Sequence, residues 1–489
     1  MTEAYDYSAP FATRARAALA DPELGHSVGA AVDRQAAARL RALESLEDPD
    51  ALRDLAARIR AANLARLDEH LDRLATTWEA AGGTVFFAGD AEEARTYVVA
   101  VAKAAGATEA VKSKSMASEE IGLNEALTDA GIEPIETDLG EYIVQLAGEH
   151  PSHIVTPAIH KSKSDVAELF SRVAGEPMPE DAVALAAFAR ARLRQRFLSA
   201  GLGVSGVNFG VADAGALCIV SNEGNARMCT SLPRVHVAIM GMERVVWDLD
   251  QLAVMLSLLA RSATGQKLTQ YTSLLHGPRT LAECDGPEES HLVILDNGRS
   301  SILGTRYAAA LHCIRCGACL NVCPVFRQIG GHAYDPVYSG PIGAVLDPLL
   351  RGQERSGDLA HASTLCGACT EVCPVRIPLH DMLLWLRQDH AEARAGIAER
   401  SAFRAWAAAW SSPRRFAWSA RAAGVLGGSM ARRLRLPGLE RWTRARHLPA
   451  RGGEEEMERA AFLERIRARL DGVERWTRAR HFPARGGEG

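Results

Sequence analysis

Neither sign of charge is in excess in this 489-residue chain: 56 basic side chains stand against 60 acidic ones, and the formal charge of −4 excludes a protein that coats nucleic acid. Long apolar runs are missing too. No stretch reaches the ~18 uninterrupted apolar residues of a membrane span, and Leu252–Ala260 has the length of a buried core segment. The amino terminus, MTEAYDYSAPFATRARAALADPELG, has no charged head, apolar centre and small-residue cleavage site in succession. A cytoplasmic protein is therefore expected. Aromatic residues make up only 6%, yet 47% of residues are apolar, enough to fill the two to four cores that roughly 100–200 residues per domain would give. Cysteine is sparse, with ten in all, but seven crowd into two short runs. Without an export signal, such crowding points to metal and away from disulfides.

The spacing of apolar residues predicts helix from Arg34 to about Ala80, where Leu52, Leu55 and Ile59, then Leu64, Leu67, Leu71 and Leu74, recur every three or four residues as a packing stripe. Between Gly82 and Asp296, β-rich runs alternate with helical stretches: Thr84–Phe87, Ile132–Thr137, Ile154–Pro157, Val204–Val211, Leu217–Val220, Val235–Met240 and Leu292–Leu295. That alternation predicts an α/β sheet domain. The expected organisation is a helical N-terminal region over 1–80, an α/β domain over 81–300, a cysteine-bearing helical domain over 301–394 and a basic tail over 395–489. In the tail, residues 401–451 hold 11 arginines against the single acid Glu440, and the block Glu440–Glu454 recurs nearly unchanged at Glu474–Glu488. Two copies are too few for a solenoid. A basic, tryptophan-bearing tail suits an acidic partner subunit or, at most peripherally, an anionic membrane surface.

HCIRCGACLNVCPVF places Cys313, Cys316, Cys319 and Cys323 at C-x2-C-x2-C-x3-C, followed by Pro324. Thiolates at these gaps let three sulfurs converge on one iron–sulfur cube, while the last cysteine serves a second cube. STLCGACTEVCPVRIP supplies that second run, Cys366, Cys369 and Cys373, followed by Pro374. Cross-ligation then assigns Cys313, Cys316, Cys319 and Cys373 to cluster 1, and Cys323, Cys366 and Cys369 to cluster 2. The register position for the missing fourth ligand of cluster 2 is Ser363. A three-iron cluster, a fourth iron held by the Ser363 oxygen or another group, and an iron with an open position all satisfy the spacing. Zinc knuckles are the competing reading, but seven cysteines with two Cys-Pro endings match the cluster pattern at more points. The 42 residues between Cys323 and Cys366 leave room for helices such as Gly343–Leu350, which predicts an α-helical ferredoxin module. Cys218, Cys229 and Cys284 read as small buried hydrophobes, any one of which could also complete cluster 2.

In the α/β region, Gly201, Gly203 and Gly206 spell G-x-G-x-x-G, but a helix precedes them and a strand follows. This is the reverse of a dinucleotide fingerprint. The polar turn Ser221–Arg227 follows the apolar strand Leu217–Val220, where ligand loops gather. Glu223 is the candidate acid or base there, and Arg227 the candidate carboxylate fork. Arg261–Gln266 is a second candidate loop. Lys112 and Lys114, with Ser113 and Ser115, can hold an anion, though a solvated charged turn is the simpler expectation. His150, His153 and His160 fit no single helix face and read as surface or core histidines.

Together, VKSKSMASEEIGLNEAL, NEGNARMCTSLPRVH, RSATGQKLTQYTSLLHGPR and LVILDNGRS, joined to the two cysteine runs, resemble the lactate-utilization protein B family over roughly residues 30–390. The resemblance implies a LUD domain similar to sugar-isomerase and CoA-transferase folds, followed by a ferredoxin module with two [4Fe-4S] clusters on the seven cysteines. It also implies work with two sister proteins that oxidise L-lactate to pyruvate, and it makes Ser363 usual for the group. The expected role is an electron-transfer subunit with the chemistry shared with, or carried by, a partner. The rivals are a LUD pocket that itself binds and oxidises a 2-hydroxy acid, and a scaffold whose clusters only stabilise the fold.

Overall fold

The computed structural model describes residues 7, 9–334, 337–394 and 396–429; the duplicated tail block lies outside them. Met1–Arg394 forms one compact unit and Ala395–Gly489 a second. The first unit opens with four helices: α1 (Phe11–Leu19), α2 (Pro22–Leu43), α3 (Pro49–Ala65) and α4 (Leu67–Ala80). Two of them start on an Asp-Pro pair. Asp21 accepts the N–H groups of Glu23 and Leu24 at 3.0 and 3.1 Å, and Asp48 accepts that of Ala51 at 2.9 Å, while each proline sits where its missing N–H is not needed. The leucine stripe on α3 is only partly buried, Leu52 and Ile59 packing at the edge of the core, and a second face is buried more fully. Its buried residues are Arg53, Ala56, Arg60 and Asn63, with Leu55 exposed, because this face meets backbone carbonyls that need donors.

Among the described residues ten strands follow: β1 (Thr84–Ala88), β2 (Glu109–Lys112), β3 (Glu133–Glu136), β4 (Leu202–Gly206), β5 (Phe209–Val211), β6 (Ala216–Ser221), β7 (Val235–Gly241), β8 (Val245–Val246), β9 (Tyr271–Leu275) and β10 (Glu289–Leu295). Six of them form a wholly parallel sheet in the order β1-β10-β7-β4-β2-β3. A four-stranded sheet, β8-β5-β6-β9, lies alongside. After β2 the chain steps outward to β3 and then returns to the other side of β2 for β4. Loops leaving β2 and β4 therefore diverge and open a crevice at the carboxyl ends of the strands.

Two expected strands differ. Ile154–Pro157 is loop. Val204–Val211 is broken between β4 and β5: the Val207 N–H still donates to Ile239 of β7, whereas the Asn208 N–H donates to Cys218 of β6, so the chain changes sheets at that step. Gly203 and Gly206 lie within β4. A Cβ at Gly203 would stand 1.9 Å from the Cys229 carbonyl oxygen, so that position is glycine for close packing.

The N-terminal helices and the cysteine-bearing segment share one core. Val28 and Val32 of α2, Ala56 of α3, Phe209 of β5, Leu258 of helix Leu249–Ala263, and Leu320, Tyr334 and Leu386 all belong to a single buried cluster. The cysteine runs are thus embedded in the α/β unit, with no gap in the packing at residue 300. In the second unit, helices Ile397–Trp410 and Pro413–Ser429 expose Phe403, Trp406 and Trp418, and Trp410 meets the Phe416 ring edge at 4.9 Å. Among the described residues no helix is long and apolar enough to cross a membrane.

Candidate functional site

The two cysteine runs fold as copies of one loop. Arg315 and Leu365, each just before a cysteine, take positive φ of 59° and 56°, and Gly317 and Gly367 just after take 72° and 81°. A short helix then begins in each, Ala318–Asn321 and Ala368–Val372. These turns curl the chain around its own sulfurs. In the first copy the Arg315 N–H points at Cys313 Sγ at 3.4 Å, and in the second the Leu365 N–H donates to Ser363 Oγ at 3.0 Å. The serine oxygen therefore occupies the place of the Cys313 sulfur, fifty positions on.

Cys313, Cys316, Cys319 and Cys373 line one small cavity with Ile154, Ile342 and Leu379. Burial pushes the Cys316 thiol up, and Cys313 and Cys373 add to the effect. Burial pushes the Cys323 and Cys369 thiols up, nearby Cys366 adds to the effect in both, and Cys319 also lies within range of Cys369. Backbone N–H groups of Phe326 and Ile377 point at Cys323 Sγ and Cys373 Sγ at 3.5 and 3.3 Å. Sulfurs converging in apolar surroundings, with N–H groups aimed at them, fit iron–sulfur cubes. Cys366 is exposed, whereas Cys316, Cys319 and Cys373 are buried.

Arginines surround the first cavity, and sequence reasoning missed them. Arg53 donates to the Cys373 carbonyl at 3.0 Å and Arg39 to that of Val372 at 3.0 Å. Arg60, fully buried, donates to Leu311 and His312 at 2.9 and 3.2 Å, and Arg244 to the Cys313 carbonyl at 2.7 Å. Desolvation lowers the pKa of Arg60 to about 9 and that of Arg244 to about 10, with Arg244 adding to the effect on Arg60 and Arg315 to that on Arg244. Their buried positive charge suits an anionic cluster bound by thiolates. The available signal was the seven-residue spacing of Arg53 and Arg60 on one predicted helix, masked by the leucines beside them.

A cavity of about 850 Å³ fills the crevice at the strand ends. Ser113, Lys114 and Ser115 reach it from the end of β2, Asn208 from β4, Glu243 and Arg244 from β7, and Glu223 and Asn225 from β6; Arg34 of α2 and Arg315 of the first cysteine loop close it. Among the described residues Lys114 forms no hydrogen bond. Burial pushes its ammonium down, against the attraction of Asp138, Glu141 and Glu223. Burial and then Asp138 push Glu223 up. Arg227 lies outside this wall, over the Tyr271 ring at 5.4 Å. Lys112 is no solvated turn residue: it is 1% exposed, 2.6 Å from both Glu119 and Glu136.

At the inner end, Arg315 stacks over the Tyr338 ring at 4.5 Å and donates to Glu243 Oε1 at 3.5 Å, while its buried Nη1 has no hydrogen-bond partner. Arg299 forks both Glu120 oxygens at 2.7 and 2.8 Å and reaches Glu243 at 2.7 Å, and the Tyr338 hydroxyl donates to Glu120 at 2.6 Å. This buried network fixes the loop that carries Arg315. Of the other expectations, Thr264 lines the cavity and Arg261 instead ties to Ser257 and Lys267 carbonyls at 2.8 and 2.9 Å. His153 is buried against Asn321 at 3.1 Å; Cys218 and Cys229 are buried, but Cys284 is exposed.

Fold and site define an iron–sulfur protein built on a LUD domain: residues 71–295 match the LUD domain model and 309–377 the 4Fe-4S dicluster domain model. Lactate utilization protein B of Shouchella clausii is 46% identical over 448 residues, 90% of this chain and 94% of that one; its Macrococcus caseolyticus counterpart is 50% identical over 411 residues, 83% and 86%. The chain belongs to the lactate utilization protein B family. An Escherichia coli relative, described as the uncharacterized electron transport protein YkgF, is 45% identical over 456 residues, 91% of this chain and 94% of that one. A solved DUF162 family protein from Deinococcus radiodurans aligns with 47% of this chain and 98% of its own at 10% identity and a TM-score of 0.26, too distant to bear on the fold.

Proposed function

We propose that this chain is the iron–sulfur electron-transfer subunit of a cytoplasmic complex that oxidises L-lactate to pyruvate with two sister proteins. The observation that carries the reading is the sorting of seven sulfurs into two adjoining groups. Cys313, Cys316, Cys319 and Cys373 would hold one [4Fe-4S] cluster, and Cys323, Cys366 and Cys369 a second, with the Ser363 oxygen at the fourth corner. Two bound clusters would supply a one-electron relay. The family names and the dicluster match support the electron-transfer role; the parallel sheet, with its crevice at the strand ends, supports a sheet domain of the sugar-isomerase and CoA-transferase class.

The chain's own residues give the relay a direction. Arg39, Arg53, Arg60 and Arg244 hold positive charge around the buried group, and exposed Cys366 puts the second group at the surface, where a partner can exchange electrons. A second reading, in which the LUD pocket itself binds the hydroxy acid, is favoured by one feature: Arg315 lies between Cys313 and Cys316 and also lines the cavity. Its guanidinium at the cavity wall would be the group to pair with a carboxylate. Anaerobically purified chain should carry clusters that dithionite reduces, and L-lactate alone should leave them oxidised until the sister proteins are added. Bleaching by L-lactate without partners would establish the second reading, and clusters irreducible at physiological potentials would leave a scaffold role.

A further inference from the structure

The loop between helices Leu139–Ala147 and Lys163–Ala174 packs on the segment that follows the first cysteine run. The Gly331 N–H donates to Ser152 Oγ at 3.0 Å, and the Ser339 hydroxyl donates to the Ser152 carbonyl at 3.2 Å. Beside this seam, Glu149, His160 and His332 bring one donor atom each within 4.8 Å of one another. The His160 ring meets the His332 ring edge-on at 4.5 Å, and His160 Nε2 lies 2.7 Å from Glu149 Oε2. The His160 side chain is only 7% exposed, and its buried Nδ1 has no hydrogen-bond partner. His332 Nε2 lies 2.7 Å from the His150 carbonyl, which fixes the ring's orientation.

We propose that Glu149, His160 and His332 form a binding site for one divalent transition-metal ion, of the zinc or ferrous class, distinct from the cysteine sites. Two imidazoles and a carboxylate suit such ions better than Ca²⁺ or Mg²⁺, which take oxygen ligands. The outer contacts are those of a ligand set: the His150 carbonyl holds the His332 ring, and Lys161 pairs with the second Glu149 oxygen and leaves Oε2 for the metal. Binding replaces the hydrogen bond between Glu149 and His160 by two metal bonds; the proton on Nε2 of a neutral His160 moves to Nδ1, and only an initially charged ring releases one proton to solvent. The ion would staple the 149–161 loop to the segment leading to Tyr334, against the Cys323 side, and Lys161 carries the effect to the cavity wall.

Equilibrium dialysis of the anaerobic, cluster-loaded protein against micromolar Zn²⁺ tests this. One zinc per chain should be retained with cluster iron and acid-labile sulfide unchanged. His160→Ala, Glu149→Gln and His332→Gln should each lower zinc affinity by more than about 100-fold with sulfide content intact, and Lys161→Met by about 10–100-fold, as for outer contacts. No zinc retained, or equal retention in His160→Ala and Glu149→Gln, overturns the proposal. X-ray absorption on the wild-type chain decides the case if the variants misfold: nitrogen and oxygen neighbours at about 2.0 Å support the site, and a sulfur shell at about 2.3 Å overturns it.

Discussion

Glu120→Gln keeps the shape of a buried side chain and removes its charge. In the wild type, burial pushes this carboxyl up, but the Arg299 charge and hydrogen bonds from Arg299, Asn297 and Tyr338 outweigh burial and hold it down at about 2, against an ordinary 4.5. At about 1.36 kcal/mol per pH unit, that depression corresponds to roughly 3 kcal/mol of stability at neutral pH. Breaking one partner out of a buried ion pair gives a similar figure, about 3–5 kcal/mol. Over roughly 390 residues at ~2.1 cal/mol/K each, the melting point should fall by about 4 °C. The sign follows from the lowered value: the stabilisation is fully present above 4.5 and is lost as pH falls from there toward about 2. Urea unfolding under anaerobic conditions should therefore show the same deficit at about pH 8 and about pH 6. A deficit below about 1 kcal/mol, or one that already shrinks between those two pH values, would show that the Arg299 fork does not hold the Arg315 loop as the geometry implies.

Lys112→Met strands Glu119 and Glu136 in the interior and should cost about 3–5 kcal/mol in the same unfolding assay; a loss near zero would mean that water already reaches them. Cys373→Ala should abolish the cluster signal that Cys316→Ala abolishes, and Cys323→Ala the one that Cys369→Ala abolishes, by electron paramagnetic resonance of dithionite-reduced protein. The opposite pairing would overturn the cross-ligated assignment. Arg315→Gln and Lys114→Met should leave both cluster signals intact; if the cavity is a hydroxy-acid site, turnover of the reconstituted complex should rise in KM by about tenfold or more, the worth of one charged hydrogen bond. Arg227→Ala, outside the cavity wall, should leave KM unchanged.

The convergence of the first cysteine run was legible because it is local: three sulfurs on one tight loop need fixed gaps, so spacing alone predicts where they meet and which register position Ser363 takes in the second run. The alternation of strand and helix was legible for a similar reason, since burial between layers imposes a short period on the residues. What the sequence by itself could not determine is which distant segments meet. Arg53 and Arg60 read as the charged side of a leucine stripe until the carbonyls of residues 311, 312 and 373 were placed against them. Glu223 and Arg227 sit four residues apart, yet one faces the crevice and the other a surface tyrosine. His160 and His332 are 172 positions apart and acquire a joint meaning only across the seam between the α/β part and the cysteine-bearing part. Short-range periodicity records what each segment must bury. Tertiary structure alone decided what it is buried against, because pairing a buried charge or aiming a free donor depends on atoms brought from elsewhere in the chain.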